Sequence, residues 1–219
     1  MYIDIHRHTE TDDENVLVLR NIFPDQLSVI TDRFFYSIGL HPWYIIETAI
    51  ENDLKIINEY AVKKNIIAVG ETGLDKKVDI SYLNQIKAFE KQIEIAERNN
   101  IPVIIHCVKA YDDLLTIRKK TNINIPWIIH WFNANEQIAG QLIEKNCYLS
   151  FGRSLFKETS KAFKTFKNLP PDKIFFETDD TEYSIKEVYK RASEILKYEQ
   201  EKLKHQIKLN FSTCFNIAL

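Results

Sequence analysis

Short apolar runs rich in β-branched and aromatic residues recur along the chain. Eight of them predict strands, at residues 2–5, 16–19, 34–40, 66–69, 101–105, 127–129, 147–151 and 174–176. The runs are continuously apolar and do not alternate with polar positions, as is typical of strands buried on both faces of a parallel sheet. The pattern therefore predicts a parallel sheet that is covered by helices.

Helical spacing of apolar residues lies between most of these runs. In residues 82–99, for example, Ile86, Phe89, Ile93 and Ala96 fall on one face of a helix. Helices are predicted at residues 50–64, 82–99, 112–120, 135–145, 155–167, 185–198 and 201–219. Because strand and helix alternate, we expect an α/β protein with a TIM-like (β/α)8 barrel.

Two early connections depart from this alternation. Residues 9–15 and 21–33 are too short or too irregular for full helices, so the barrel is expected to be incompletely wrapped near strands 1 to 3. The chain shows no internal repeat or linker, and it contains only 5 Gly and 6 Pro. These features favour a single domain that spans residues 1–219.

Composition limits the function classes. The 29 basic and 31 acidic residues give a net charge of -2, so there is no overall basic field to attract nucleic acid. Three cysteines without CxxC spacing argue against a disulfide framework and against a structural zinc knuckle. No signal-peptide pattern is evident, and no apolar stretch approaches the ~20 residues that cross a bilayer. We therefore expect a soluble, cytoplasmic protein without membrane contact.

Residues able to bind divalent metal lie at, or one or two positions beyond, the downstream ends of separate apolar runs. They are His6, His8, Glu71, His106, His130 and Asp179. In a barrel of parallel strands, side chains at the C-terminal strand ends converge on one mouth, where catalytic groups are found. Imidazoles suit zinc and similar ions, whereas carboxylates suit harder ions. The pattern predicts a site for one or two divalent metals.

Six motifs occur in an order that resembles a known family. They are Asp-Ile-His-Arg-His at 4–8, Ser-Ile-Gly-Leu-His-Pro-Trp at 37–43, Gly-Glu-Thr-Gly-Leu-Asp at 70–75, Pro-Val-Ile-Ile-His-Cys at 102–107, Ile-Ile-His-Trp-Phe at 128–132 and Phe-Glu-Thr-Asp at 176–179. Together they resemble the TatD family of metal-dependent hydrolases, from about residue 2 to residue 180.

The resemblance implies a barrel of the amidohydrolase type that binds one or two divalent ions, Zn²⁺, Mg²⁺ or Mn²⁺, and cleaves phosphodiester bonds, typically in DNA. It implies that His6 and His8 bind one metal and that His106 and His130 bind the other. DNA or a small phosphodiester is accordingly the expected substrate. Oligomeric state stays open.

Two carboxylates are the expected catalytic residues. The resemblance implies that Glu71 bridges the two metals and that Asp179 is a ligand that also orients the attacking water. A bound metal lowers the pKa of water from 15.7 toward about 7, and either carboxylate could then accept a proton. We also expect Glu177 and Asp4 to orient metal-binding histidines, and Asp75 to brace the loop after Glu71.

The chain departs from the family where substrate would bind. Val108 stands where an arginine commonly follows the His-Cys pair, with Lys109 next, and Asp180-Thr181-Glu182 adds acid. Two alternatives therefore stay open: an amide, ester or lactone hydrolase on the same site, and a non-catalytic metal-holding binding protein. Retention of both candidate bases speaks against the second. The candidate substrate contacts are His41, Trp43, Lys109, Trp131 and Arg153. For His41 a structural role in its turn is equally open.

Overall fold

The computed structural model describes residues 1–179 and 181–219, so Asp180 lies outside the described residues. Its strands are β1 (Tyr2–Arg7), β2 (Val16–Ile22), β3 (Phe35–Ile38), β4 (Ile66–Asp75), β5 (Val103–Val108), β6 (Trp127–Ile129), β7 (Cys147–Phe151) and β8 (Ile174–Phe176). They form one eight-stranded sheet in the order β1 to β8. A strand is found at each of the eight predicted runs.

Helices follow most of the strands. They are α1 (Ile50–Tyr60), α2 (Tyr82–Asn99), α3 (Tyr111–Arg118), α4 (Glu136–Ile143), α5 (Lys161–Phe166), α6 (Ile185–Leu196) and α7 (Gln200–Phe215). The connection from β1 to β2 carries no helix, and the connection from β2 to β3 carries only a 3-10 turn at Leu27–Val29. The expectation of incomplete wrapping is therefore confirmed there. Within the described chain, no helix has the length and apolar character needed to span a membrane.

The predicted helix at residues 155–167 is wrong. A 3-10 helix covers Arg153–Phe156, and α5 begins only at Lys161. Ser160 lies between them in an extended conformation, and its hydroxyl accepts a hydrogen bond from the backbone N–H of Phe163. A side chain that satisfies a free N–H in this way starts a new helix, so the apolar pattern is divided between two elements.

Strand β4 is longer than predicted. The Gly-Glu-Thr-Gly stretch continues the strand instead of turning out of it, because β4 pairs with β5 in parallel as far as Asp75 opposite Val108. Gly70 and Gly73 have φ angles of 149° and 143°, which side chains other than glycine rarely adopt. A Cβ atom at Gly73 would overlap the backbone of His106. The glycines therefore allow close packing of β4 on β5 and leave Glu71 inside the strand.

The chain divides into two compact units, residues 1–20 with 130–219, and residues 21–129. In the first unit, β7 pairs with β8 in parallel, and β1 meets the end of β8, where the backbone N–H of Asp179 donates to the carbonyl of His6 at 3.0 Å. In the second unit, β3, β4, β5 and β6 pair in parallel in that order. The single-domain interpretation stays a prediction.

Each unit has its own buried aromatic groups. In the first unit Phe151 packs edge-on against Phe166, with ring centroids 4.9 Å apart, and both are fully buried. In the second unit Phe89 packs on Trp127 at 5.6 Å, and both are again fully buried. Aromatic side chains supply the largest apolar areas to a core, so these contacts hold helices against strands.

Candidate metal centres

The first unit holds a cluster that we call the first cluster: His6, His8, His130 and Asp179. Ligand atoms of His6, His130 and Asp179 all lie within 4.8 Å of one another. Nε2 of His8 lies 3.4 Å from Oδ1 of Asp179, and Nε2 of His6 lies 4.0 Å from the same oxygen. Imidazoles that converge on a carboxylate in this way have the composition of a divalent-metal site.

Each residue of this cluster lies within a strand or shortly after its C-terminal end. His6 lies inside β1, and His8 comes directly after the end of β1. The ring centroids of the two histidines are 5.2 Å apart. His130 comes directly after β6, and Asp179 follows β8. Asp179 has a φ angle of 50°, a conformation that costs free energy in residues other than glycine and that is often found at functional sites.

Glu177 orients His130, as expected. The Nδ1–H of His130 donates to Oε2 of Glu177 at 3.0 Å, and the backbone N–H of Trp131 donates to Oε1 at 2.7 Å. The carboxylate is 1% exposed. Because the hydrogen resides on Nδ1, the lone pair of His130 Nε2 is left for a metal.

The expectation for Asp4 is wrong. Its carboxylate accepts hydrogen bonds from the backbone N–H of Thr178 at 3.0 Å and from the Thr178 hydroxyl at 2.6 Å, rather than from a histidine. The reason is that the chain after β8 crosses directly over this part of β1. Burial raises the pKa of Asp4 to about 7, although the bonds from Thr178 oppose the rise. Asp4 therefore anchors the segment that carries Asp179.

The second unit holds a second cluster: His41, Glu71 and His106. Their ligand atoms also lie within 4.8 Å of one another. Oε1 of Glu71 is 3.2 Å from Nε2 of His41 and 3.0 Å from Nδ1 of His106. The backbone N–H of Glu71 donates to Oδ1 of Asn21 at 2.6 Å, which fixes the carboxylate-bearing residue within β4. This cluster too has donor types that bind divalent metal.

Asp75 contacts the opposite side of the His106 ring. Its Oδ2 lies 3.1 Å from Nε2 of His106 and accepts a hydrogen bond from Trp43 Nε1 at 2.7 Å. Oδ1 accepts from the backbone N–H of Lys77 at 2.7 Å, so Asp75 also braces the loop as expected. Burial raises the pKa of Asp75, but the bonds from Trp43, Lys77 and His106 outweigh it, and the pKa lies below its usual range.

The contacts of His106 bear on metal binding. A neutral imidazole has one N–H, yet both ring nitrogens of His106 face carboxylate oxygens, those of Glu71 and Asp75. A cation bound between the ring and a carboxylate would satisfy the contact that the single N–H leaves over. The donor set of the second cluster thus fits a metal ion.

A family model with the description "TatD related DNase" matches residues 25–216. The chain belongs to this TatD family. It is 35% identical over 151 residues to an uncharacterized metal-dependent hydrolase of Bacillus subtilis, YabD, a match that covers 68% of this chain. It is 30% identical over 185 residues to an uncharacterized metal-dependent hydrolase of Haemophilus influenzae, with 80% of this chain and 67% of that protein covered.

The chain spans only 59% of the length of the Bacillus subtilis relative. The solved structure of YjjV, a TatD homolog from Escherichia coli, superposes with a TM-score of 0.84 over 99% of this chain and 98% of that one, at 20% identity. This likeness covers all eight strands. The predicted TIM-like barrel of parallel strands is thereby confirmed.

The structure assigns each of the TatD-like motif residues to a unit. His6, His8, His130 and Asp179 come together in the first cluster, and Glu71 and His106 in the second. The ligand roles implied by the family resemblance, including a bridging role for Glu71, stay predictions.

The position of His41 was not predicted from the sequence. We expected a substrate contact or a structural role, but its Nε2 lies within reach of Glu71 in the second cluster. Its Nδ1 accepts a hydrogen bond from the backbone N–H of Trp43, which leaves Nε2 directed at the carboxylate. A signal was available, because His41 follows an apolar strand in the same way as His106 and His130 do.

The other candidate substrate contacts lie in loops after strands. Lys109 is exposed and follows β5. Trp43 is 51% exposed, and its ring lies 5.7 Å from that of His106. In the first unit, the guanidinium of Arg153 lies over the ring of Trp131, with Cζ 4.6 Å from the ring centroid. Arg153 thus places a cation on Trp131, the residue that follows His130.

Proposed function

We propose that the protein is a divalent-metal-dependent hydrolase that cleaves phosphodiester bonds, with DNA or a small phosphodiester as its substrate. Membership of the TatD related DNase family supports this proposal. The observation that carries it is the first cluster, in which His6, His130 and Asp179 converge within 4.8 Å at the C-terminal ends of strands.

The first cluster supplies the metal ligands in this proposal. His6, His8, His130 and Asp179 offer three imidazoles and a carboxylate, a set that accepts Zn²⁺ or Mn²⁺ and, with less preference, Mg²⁺. Held by these residues, a divalent ion would lower the pKa of a water molecule and so supply hydroxide at neutral pH. In the second cluster, Glu71 with His41 and His106 forms a second candidate set of ligands.

Asp179 is the proposed base. Its backbone N–H is fixed to the His6 carbonyl, and Thr178 beside it is fixed by Asp4. A carboxylate that is held in this way can orient a water molecule and accept its proton without a large movement. Glu71 is the second proposed proton acceptor, because it is buried and sits on a rigid strand.

Purified protein should nick plasmid DNA and hydrolyse bis(p-nitrophenyl) phosphate when Mg²⁺, Mn²⁺ or Zn²⁺ is added. Asp179→Asn should lower the rate by roughly 10²- to 10⁴-fold, whereas Asp172→Asn, at an exposed carboxylate, should retain full activity. Metal analysis of the untreated protein identifies the ion. Equal rates for Asp179→Asn and wild type would contradict the assignment of the base.

A second candidate is an amide, ester or lactone hydrolase that uses the same clusters. Val108 replaces the positive contact expected there, and exposed Glu182 adds negative charge next to Asp179, which disfavours a polyanion. Hydrolysis of an amide, ester or lactone panel, with DNA and bis(p-nitrophenyl) phosphate left intact, would favour this candidate. Metal binding without turnover of either panel would instead indicate a non-catalytic metal-holding protein.

A further inference from the structure

A cavity of about 490 Å³ lies in the first unit beside Asp179. Its walls come from the end of β1 and the loop after it, and from residues 178–179 and 181–186. They include Arg7, Thr9, Thr11, Asp179, Thr181 and Tyr183. The volume falls in the range of about 300 to 1,000 Å³ that is typical of small-molecule sites. The cavity can thus hold a group of about the size of one nucleotide, next to the proposed base.

The charges around this cavity are paired only in part. Lys186 forms an ion pair of 2.5 Å with Asp13. Asp179 faces His6 and His8. Glu182 is exposed to solvent, where water and salt screen its charge, so it opposes a phosphate in the cavity only weakly.

Of the two cations on the wall, Arg7 and Lys186, only Lys186 forms an ion pair within the described chain. The Nε–H of Arg7 donates to the hydroxyl of Thr9 at 2.9 Å. Its neighbour across the strand pair, Arg20, is paired with Glu10. Among the described residues, no carboxylate forms an ion pair with the guanidinium of Arg7, although its charge acts on the buried carboxyl of Asp4. Arg7 therefore contributes a positive charge to the cavity wall.

The chemistry of Arg7 selects an oxyanion. A guanidinium presents five N–H donors in a planar fork that matches two oxygens of a phosphate, and one of these donors is occupied by Thr9. Thr9, Thr11 and Thr181 lie on the same walls. The Thr181 hydroxyl donates to the carbonyl of Thr178 at 2.7 Å, whereas the hydroxyls of Thr9 and Thr11 accept hydrogen bonds from N–H groups and keep their own hydrogen to donate. A phosphate carries several acceptor oxygens and can use both kinds of donor.

We propose that Arg7 binds a phosphate group of the substrate other than the one that is cleaved, and that the cavity is the subsite for the nucleotide that carries it. This proposal rests on the proposed function and names the substrate feature that the site recognises. Arg7 would supply, from the end of β1, the positive contact that Val108 lacks after β5. The phosphate is either a terminal phosphate of a short nucleic acid or an internal phosphate of a longer one.

The test compares wild type with Arg7→Gln and with Arg33→Gln, an exposed arginine outside the cavity. The substrates are dTpdT, its 5′-phosphorylated and 3′-phosphorylated forms, and a thymidine trinucleotide. Wild type should prefer one phosphorylated form, or the trinucleotide, over dTpdT in kcat/KM by about 10-fold to 100-fold. Arg7→Gln should abolish this preference and Arg33→Gln should keep it. Preference for a terminally phosphorylated dinucleotide identifies a terminal phosphate, and preference for the trinucleotide alone identifies an internal one.

Arg7 lies between two candidate ligands, so metal content and the circular dichroism spectrum of Arg7→Gln must match those of wild type for the comparison to count. An assay without turnover covers the remaining cases: titration calorimetry with thymidine 5′-monophosphate on the protein as purified. Arg7→Gln should weaken binding by about 10-fold or more, and Arg33→Gln should not. Equal binding by the three proteins, or no binding by wild type, overturns the subsite. Failure to hydrolyse plasmid DNA, bis(p-nitrophenyl) phosphate and all of these oligonucleotides would overturn the proposed function, while this binding assay still decides on Arg7.

Discussion

Glu177 and His130 form a fixed pair, with Oε2 of the carboxylate 3.0 Å from Nδ1 of the ring. The second oxygen of Glu177 accepts the backbone N–H of Trp131, so the carboxylate is held at both ends. A buried carboxylate in this position selects one tautomer of the imidazole and directs its other nitrogen toward a metal. Glu177 would thus prepare His130 for its predicted role as a metal ligand without touching the metal itself.

Glu177→Gln should weaken metal binding by about 10-fold to 100-fold, because an amide no longer enforces the Nδ1–H tautomer. Isothermal titration of the metal-stripped protein with Zn²⁺ or Mn²⁺ measures the effect. Glu201→Gln, at an exposed residue of α7, is the matched control and should bind as wild type does. Unchanged affinity in Glu177→Gln would mean that His130 is not a ligand or does not depend on this carboxylate.

Asp4→Ala should destabilise the protein by about 2 kcal/mol or more, because the buried N–H and hydroxyl of Thr178 would both lose their acceptor. Asp4→Asn retains one carbonyl oxygen and should be less affected. Chemical denaturation of the two variants gives the difference. Both should also bind metal more weakly than wild type, since the segment with Asp179 loses its anchor. Equal stabilities of Asp4→Ala and wild type would refute the anchoring role.

The elements of the sheet could be predicted from the sequence because parallel strands are apolar on both faces, and continuous apolar runs are easy to find. The extension of β4 could not be predicted, because glycines such as Gly70 and Gly73 are also typical of turns. Their close approach to β5 depends on the partner strand, which the local sequence does not show. The break before α5 was missed because the cap at Ser160 divides an otherwise helical apolar pattern.

The candidate site, like the sheet, could be predicted from the sequence only in part. A histidine or carboxylate after an apolar strand is visible in the sequence, as is Glu177 two residues before Asp179. The contact of Asp4 with Thr178 joins residues that are 174 positions apart, and no local pattern indicates it. The place of His41 depends on Trp43, whose backbone N–H binds one ring nitrogen and so turns the other toward Glu71.

His41→Gln distinguishes a ligand from a substrate contact. If Nε2 of His41 binds metal together with Glu71, the variant should retain less metal after dialysis, as measured by inductively coupled plasma mass spectrometry. If His41 contacts only the substrate, metal content should stay unchanged while KM rises. His205→Gln, in the polar stretch of α7, serves as the control and should alter neither quantity. We expect the loss of metal, because Glu71 lies only 3.2 Å from the ring nitrogen.

Gly73→Ala should lower the free energy of unfolding by about 2 kcal/mol or more, although it adds only one methyl group. Its φ angle of 143° disfavours alanine, and the added Cβ would overlap the backbone of His106. Gly140→Ala is the matched control, because it lies in α4 with no atom within 4 Å of the added Cβ. That variant should gain about 0.5 to 1 kcal/mol. Similar unfolding free energies for the two variants would contradict the close packing of β4 on β5.

Arg153→Gln should lower kcat/KM for DNA more than for bis(p-nitrophenyl) phosphate. Arg153 is exposed after β7, and stacking on Trp131 limits its freedom without neutralising its charge. A cation held in this way suits a phosphate of a long substrate, and its contribution should shrink as salt screens the charge. Measurement of kcat/KM for both substrates at several salt concentrations checks this, with Arg33→Gln as the control. A loss that is equal for both substrates and independent of salt would assign Arg153 to folding of the loop instead of to substrate binding.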